Sequence, residues 1–323
     1  MRRPFSWRDD ERGVALLTVL LLVAVMATLA AGLLDEIRFS IRRAANAEAV
    51  GQARWYAMGA EQLARAQVAR LAAAGPASGD WNGRVVRFPI EGGVVQARVT
   101  DGGACFNLNS VVQGPPEGLQ RRDAGAARFV ALAGVLGLGA REAEMLAAAL
   151  VDFIDADPLR EAGGAEDEAY AGAGQGYLTA GTLLAEPSEL RAVRGFTPAV
   201  YARLRPYVCA LPTAEPAALD INTLTPDQAP LIAMLAETPM SLAAARALIA
   251  ARPPGGWPDT GAFLGLPAVA EAGIDGNALT VAPRWFRLET EVTFGDAEAV
   301  SSALLINEGG RVRLAARRWG PEE

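Results

Sequence analysis

The chain contains no histidine, and every one of its 30 basic residues is an arginine. Without imidazole there is no Ser-His or Cys-His nucleophilic pair and no imidazole ligand for a metal. Without lysine there is no Schiff-base nucleophile and no P-loop. Thiols are almost as scarce, since Cys105 and Cys209 are the only two. The formal net charge of −7 and the pI near 5.0 deny the protein the clustered positive charge that phosphate contacts need, which argues against nucleic acid as a partner. One further absence is local: from Val14 to Leu34 there is no acidic residue at all.

That stretch, "VALLTVLLLVAVMATLAAGLL", begins directly after Arg12-Gly13. At about 1.5 Å per residue its roughly 21 residues match the ~30 Å hydrocarbon core of a bilayer. A cleaved secretory signal has a shorter apolar core, about 7–15 residues, ahead of a small-residue cleavage site. The run is therefore long enough to stay in the membrane. Arg2, Arg3, Arg8 and Arg12 precede it and favour a cytoplasmic N-terminus, so everything beyond it is exported. A plain signal-anchor would account for the hydrophobicity but not for a Gly at its boundary.

Charge returns at Asp35, yet no proline interrupts, and the following segment is rich in Ala, Gln, Glu and Arg. These are good helix formers, so one helix is expected from about Val14 to about Ala73. In its second half Ala49, Ala53, Tyr56, Ala60, Leu63, Ala64 and Leu71 recur at three- and four-residue spacing, an apolar stripe suited to packing on a domain. After a turn-rich break, two alternating runs around Gly92-Gly93 predict a β-hairpin. From about Ala104 the pattern becomes helical, with paired segments such as "AARFVALAGVLGL" and "AREAEMLAAALVDFIDAD". Strand patterns resume near Trp285 in "WFRLETEVTFG", "AVSSALLINEGG" and "RVRLAARRWG". The simplest architecture is α+β, with early and late strands in one sheet on the long helix and the helical block inserted between them.

Chemistry-bearing residues concentrate in "LVDFIDADPLREAGGAEDEAY", where Asp152, Asp155, Asp157, Glu166, Asp167 and Glu168 fall close together. Hard cations such as calcium take six to eight oxygens at about 2.3–2.6 Å from loop carboxylates and carbonyls. The spacing is not that of an EF-hand. A solvated acidic loop is the alternative, and a carboxylate pair could in principle serve general acid–base chemistry in a membrane-anchored, cation-dependent periplasmic enzyme. "DINTLTPDQAPLIAMLAETPMSLAAARALIAARPPGGW" has the outline of a helix-hairpin-helix nucleic-acid module. Its linker "AETPMS" lacks the glycine whose amides would meet phosphate and carries Glu237 instead, so it reads as a packing unit. Asp220 and Asn222 then serve as turn or capping residues. The two cysteines form one bridge in an oxidising compartment, or remain as buried thiols.

Arg12-Gly13 before the apolar run resembles a type IV prepilin leader. "CFNLNS", "LVDFIDAD", "GAEDEAY", "SELRAVRGF", "RPYVCALP", "DINTLTPDQAP" and "WFRLETEV", in that order over nearly the whole chain, resemble the minor pseudopilin K family of the type II secretion system, also called general secretion pathway protein K. The resemblance implies a pseudopilin fold: a long N-terminal transmembrane helix on an antiparallel sheet, interrupted by a large all-α inserted domain. The corresponding division is leader 1–13, transmembrane helix 14–34, pseudopilin helix and first strands 35–103, inserted domain 104–283 and closing strands 284–323. It also implies a non-catalytic role at the tip of an inner-membrane-anchored, periplasmic pseudopilus, with minor pseudopilins I and J and the inner-membrane secretion platform as partners. A prepilin peptidase would cut between Gly13 and Val14, and Val14 would be N-methylated. Most pilins carry Glu at the fifth mature position; Thr18 stands there, as this family's habit implies. Asp155, Asp157, Glu166, Asp167 and Glu168 are the implied calcium ligands, and Cys105 and Cys209 match cysteines of many members. Two departures stand out: Phe153 replaces a frequent Trp, and the loop "DPLREAGGAED" is short for the family.

Overall fold

A computed structural model describes residues 8–74, 81–172 and 176–320, with side chains from Gly13 onward. Arg2 and Arg3 of the basic cluster lie outside them, as does part of the turn-rich break at 75–80. Helix α1 (Arg8–Ala73) is continuous over 66 residues, about 100 Å at helical rise. No part of its apolar membrane-length window is buried against the rest of the chain. The second half packs on a five-stranded antiparallel sheet of β1 (Val85–Ile90), β2 (Gly93–Asp101), β3 (Trp285–Phe294), β4 (Ala297–Glu308) and β5 (Arg311–Trp319), in that spatial order. The first hairpin turns at Gly92, whose φ of +81° suits glycine, and places Phe88 opposite Val95. Strands β2 and β3 pair from Gly93↔Phe294 to Asp101↔Phe286, although the whole helical block separates them in sequence.

The face of α1 that meets the sheet is made of small residues: Ala53, Ala57, Ala60, Ala64 and Val68 are buried. Ala53, Ala57 and Ala60 pack with Val95, Val292 and Ala299, whereas Ala64 and Val68 pack with Phe286, Leu288 and Leu305. The stripe expected from sequence is thus rotated. Leu63 is 61% exposed and Val68, which the spacing did not select, is fully buried. Small residues let the helix axis approach the strands closely, so bulk is relegated to the flank.

A bulge between Leu304 and Leu305 shifts the β4–β5 register. Arg317 and Trp319, rather than their neighbours, then reach toward α1. Arg317 forms two hydrogen bonds to the buried Glu61 at 2.7 and 3.0 Å, and the Arg54 guanidinium lies over the Trp319 ring. Glu61 is only 3% exposed, so its carboxylate depends on this partner. Truncating Arg317 to Ala is expected to destabilise the fold by about 2 kcal/mol, below the 3–5 kcal/mol typical of a fully buried pair because the arginine itself is part-exposed. Chemical denaturation checks this, and Glu61→Gln in the same background should recover part of the loss.

Between Asp101 and Trp285 the chain forms α2 (Asp123–Val135), α3 (Ala140–Ile154), α4 (Asp167–Ala171), α5 (Pro198–Leu204), α6 (Ala229–Ala233), α7 (Leu242–Ala250), α8 (Thr260–Leu264) and α9 (Pro267–Ala272). Helices α2 and α3 turn at Gly137, φ +82°, and pack together through Phe129, Leu132, Leu146 and Leu150. One continuous apolar core runs from Phe106 to Leu279. Two-residue parallel strand pairings close the necks of this block, at Phe106↔Val208 and Asn107↔Cys209 and at Leu219↔Leu279 and Asp220↔Thr280. Asparagines stitch the first neck. Buried Asn109 donates to the carbonyls of Leu184 and Leu211 at 2.9 and 2.8 Å and accepts from the Leu184 N–H at 2.8 Å. Asn107 likewise donates to the carbonyls of Thr213 and Glu215.

A polar lock joins the block to the sheet at the Asp101 end. Thr223 Oγ1 donates to Asp101 at 2.5 Å, and Asn82 links the Asp101 N–H to the Thr223 carbonyl. Asp220 and Asn222 act as turn residues here: Asp220 accepts the Asn222 N–H, and the Asn222 amide exchanges two hydrogen bonds with the Trp257 backbone. Burial pushes the Asp101 carboxyl up to about 6 and that of Asp220 up to about 7.

Candidate functional site

Three features of the fold carry chemistry: the anchor, the acidic loop after α3, and the cysteine pair. Gly13 and Val14 lie in α1, where Val14 is exposed. Thr18 turns its hydroxyl back onto the helix and donates to the Ala15 carbonyl at 2.9 Å, a self-satisfied arrangement that offers no charge to a neighbour.

Helix α3 ends at Asp155, which is extended at the cap, and Pro158 shortly after prevents the helix from resuming. The loop returns to α4, whose first turn holds Asp167 and Glu168. This brings Asp155, Asp157, Glu166, Asp167 and Glu168 to the wall of a single cavity of about 450 Å³, together with Thr179. Asp157 is exposed and caps its own turn by accepting the Leu159 N–H at 2.8 Å. Asp167 accepts both the N–H and the hydroxyl of Thr179, and these bonds hold its carboxyl below the usual range. Asp155 and Glu166 are different. Each has a buried oxygen with no hydrogen-bond partner. Burial, reinforced by neighbouring carboxylates, pushes Asp155 up to about 7 and Glu166 up to about 6.

Asp152 belongs with them, although the sequence reading did not place it among the ligands. It lies one helical turn before Asp155 and is fully buried. One oxygen accepts the Glu161 N–H at 3.0 Å and the other has no partner. Gly164 passes so close that an added Cβ would sit 2.0 Å from that second oxygen. Among the described residues only four buried side-chain oxygens or nitrogens lack a partner, and three of them belong to this loop. Orphaned buried carboxylate oxygens are costly, which is the condition an oxygen-seeking divalent cation relieves. The donor set therefore fits a hard cation. As the side chains stand, no three His, Cys, Asp or Glu residues among those described are drawn around one point.

The cysteines settle the alternative left open by sequence. Cys105 and Cys209 form a disulfide with Cα atoms 5.8 Å apart and a sequence separation of 104. It sits where the helical block meets the outer face of the sheet, packed with Leu211, Trp285 and Ile306.

A family model described as "Type II secretion system (T2SS), protein K" matches residues 104–213, and a second of the same description matches 219–282. The chain is 36% identical over 321 residues to type II secretion system protein K of Pectobacterium carotovorum subsp. carotovorum, covering 97% of this chain and 98% of that one. The protein of the same name from Klebsiella pneumoniae is 36% identical over 322 residues, with 96% and 97% covered. Among solved structures, a chain of the GspK-GspI-GspJ complex from the type 2 secretion system of enterotoxigenic Escherichia coli superposes with a TM-score of 0.72 at 28% identity, covering 87% of this chain and 100% of that chain. The matched boundaries coincide with the necks described above. The first begins beside Cys105 and ends beyond Cys209, and the second runs from the strand at Leu219 to the one at Thr280.

Proposed function

The chain belongs to the type II secretion system protein K family, and from that premise we propose that this minor pseudopilin is a non-catalytic cap at the tip of a pseudopilus that supports export across the outer membrane. The observation that carries the reading is the direction in which the helical block leaves the sheet. Along α1 from the membrane outward, the contacts run from Val292 to Phe286 on β3, so the Asp101 and Trp285 ends of the strands are the membrane-distal ends. The block emerges there. A protomer stacked further from the membrane would meet it, whereas the membrane-proximal flank of α1 stays clear.

Thr18 supports the same role. In a packed helical fibre, a carboxylate at that depth would neutralise the N-terminal ammonium of the neighbour ahead, because an unpaired charge in lipid is costly. A subunit with nothing ahead of it has no such task. The processing steps belong to this proposal too: cleavage between Gly13 and Val14 by a prepilin peptidase, methylation of Val14, and retention of α1 in the inner membrane with the sheet and helical block in the periplasm. Partners are minor pseudopilins I and J, in keeping with the relative's solved complex, and the inner-membrane platform. Calcium held by Asp155, Asp157, Glu166, Asp167 and Glu168, with Asp152 behind them, would neutralise the acidic loop and tie it to the end of α3.

Immunogold labelling against the helical block should decorate purified pseudopili at one end only; label along the shaft would overturn the cap. Thr18→Glu should leave that end labelling intact. The mass of the isolated protein should correspond to a methylated Val14 start when a prepilin peptidase is present, and to an uncut chain when it is not.

A further inference from the structure

Of the chain's asparagines, only Asn82 is followed by a glycine. An Asn-Gly step is chemically labile, because glycine has no side chain to hinder attack of its amide nitrogen on the asparagine Cγ. In that reaction the Gly83 nitrogen gives up its proton and bonds to Cγ. The Cγ–Nδ2 bond breaks, and ammonia leaves with the displaced proton. Water then opens the cyclic imide at either carbonyl, leaving an aspartate or an isoaspartate in place of Asn82. Gly83 is exposed and Asn82 half-buried, so water reaches the step.

The fold holds each reacting group. The Gly83 N–H is donated to the Val99 carbonyl at 2.8 Å, so the nitrogen keeps its proton while β2 stays paired with it. The Asn82 side chain accepts the Asp101 N–H at 2.9 Å and donates Nδ2 to the Thr223 carbonyl at 3.1 Å. Ring closure expels Nδ2, so the bond from Asn82 to the helical block must break first. We propose that Asn82 is a site of spontaneous deamidation gated by the junction: protected while the helical block is seated, and converted once it lifts. The product closes the route back. A carboxylate offers no hydrogen to the Thr223 carbonyl, and it adds negative charge where Asp101 already meets the Thr223 hydroxyl. An isoaspartate also lengthens the main chain by one methylene just ahead of β1. A local opening that would otherwise reverse is thereby recorded as a permanent change.

The test is peptide mass spectrometry on the full chain held in detergent at mildly alkaline pH. Trypsin releases residues 71–84, in which Asn82 carries the only side-chain amide, so a mass change from amide to acid reports this site alone. In the urea-unfolded chain, deamidation should run about tenfold faster, or more, than in the folded protein. Thr223→Val, which removes the hydroxyl tie to Asp101, should speed the folded protein about tenfold, and Thr223→Ser should keep the wild-type rate. Sub-denaturing urea gives a measure that needs no variant. Wild-type deamidation should then rise in proportion to hydrogen exchange at the Gly83 and Asp101 amides. Deamidated protein, resolved by ion exchange and returned to buffer, should retain raised exchange at Asp101. A site unreactive in urea, or one equally fast folded and unfolded, would overturn the proposal. So would a Thr223→Val rate equal to wild type, or exchange at Gly83 and Asp101 that rises while the peptide mass stays unchanged. Deamidated protein whose exchange returns to the wild-type pattern would overturn the permanence of the change.

Discussion

Replacing Cys105 and Cys209 together by serine is expected to cost the folded chain about 4 kcal/mol. The bridge closes a loop with a sequence separation of 104. Cross-linking a loop of that size restricts the unfolded chain by about 4.7 kcal/mol in the entropy model, and measured losses of native bridges run to about 2–5 kcal/mol. For a domain of this size each kcal/mol moves the midpoint by about 2–4 °C, so the double variant should melt roughly 8–16 °C lower. The location sharpens the expectation. The bridge lies beside the Phe106–Val208 and Asn107–Cys209 pairings and seals the point where the block leaves the sheet. Without it, hydrogen exchange should rise first at Asn107, Asn109 and Leu211, while the β3–β4 ladder keeps its protection. Single serine variants would leave one buried thiol and should melt close to the double variant. A double variant that melts within about 2 °C of wild type would mean that the neck hydrogen bonds alone hold the block closed.

What could be read from the sequence and what could not divide along physical lines. Local signals were sufficient for α1, because an unbroken run of helix formers from a membrane-length apolar stretch admits few alternatives, and for the β1–β2 hairpin, because glycines mark its turn. Strand patterns on both sides of the helical block placed the early and late strands in one sheet, and the pairing Gly93↔Phe294 agrees with that. The rotational phase of α1 was not legible. Leu63 and Val68 have similar hydrophobicity, and only the strands beneath decide which is buried. Nor was the Glu61–Arg317 pair legible, since it depends on a bulge whose effect on side-chain direction is felt only after the strands are paired. The five acidic residues that the resemblance implies as ligands do line one cavity, yet spacing, which grouped them with Asp152, could not rank them. Asp152, placed among apolar residues in "LVDFID", belonged to the acidic cluster but not to the ligand set that the resemblance implies. Its burial and its orphaned oxygen give it the same standing as Asp155. A charged residue one helical turn before another, on an otherwise apolar stretch, was the available signal. The Asp101–Thr223 lock had no local signature at all, because its partners are 122 residues apart.

Calcium should reverse the sign of the protein's pH dependence. In the presence of chelator, Asp155 and Glu166 hold their protons up to about 7 and about 6, and Asp152 is also raised, all through burial first. In the unfolded chain these groups ionise near 4. Between those limits the folded state binds more protons than the unfolded one, so stability is greatest below about pH 4 and declines as pH rises toward 7. A divalent cation requires the ionised carboxylates and favours the opposite slope. At a hundredfold excess over its dissociation constant the ion adds about 2.7 kcal/mol, a rise in melting temperature of roughly 5–11 °C at neutral pH. At pH 4.5 the same calcium should add far less, because the ion must first displace protons from the site. Asp101 and Asp220 contribute a declining slope of the same sign, away from this loop, so the slope in chelator does not isolate the site. The variant Asp155→Asn with Glu166→Gln does. It should lose the calcium-induced rise entirely and flatten the chelator slope only in part, leaving the share that belongs to the Asp101–Asp220 junction. Gly164→Ala, which pushes a methyl group against Asp152, should weaken calcium binding while leaving the ligands' own carboxylates in place. If melting curves with calcium and with chelator coincide from pH 4.5 to 7.5, the loop is an acidic surface and its buried oxygens have some other partner.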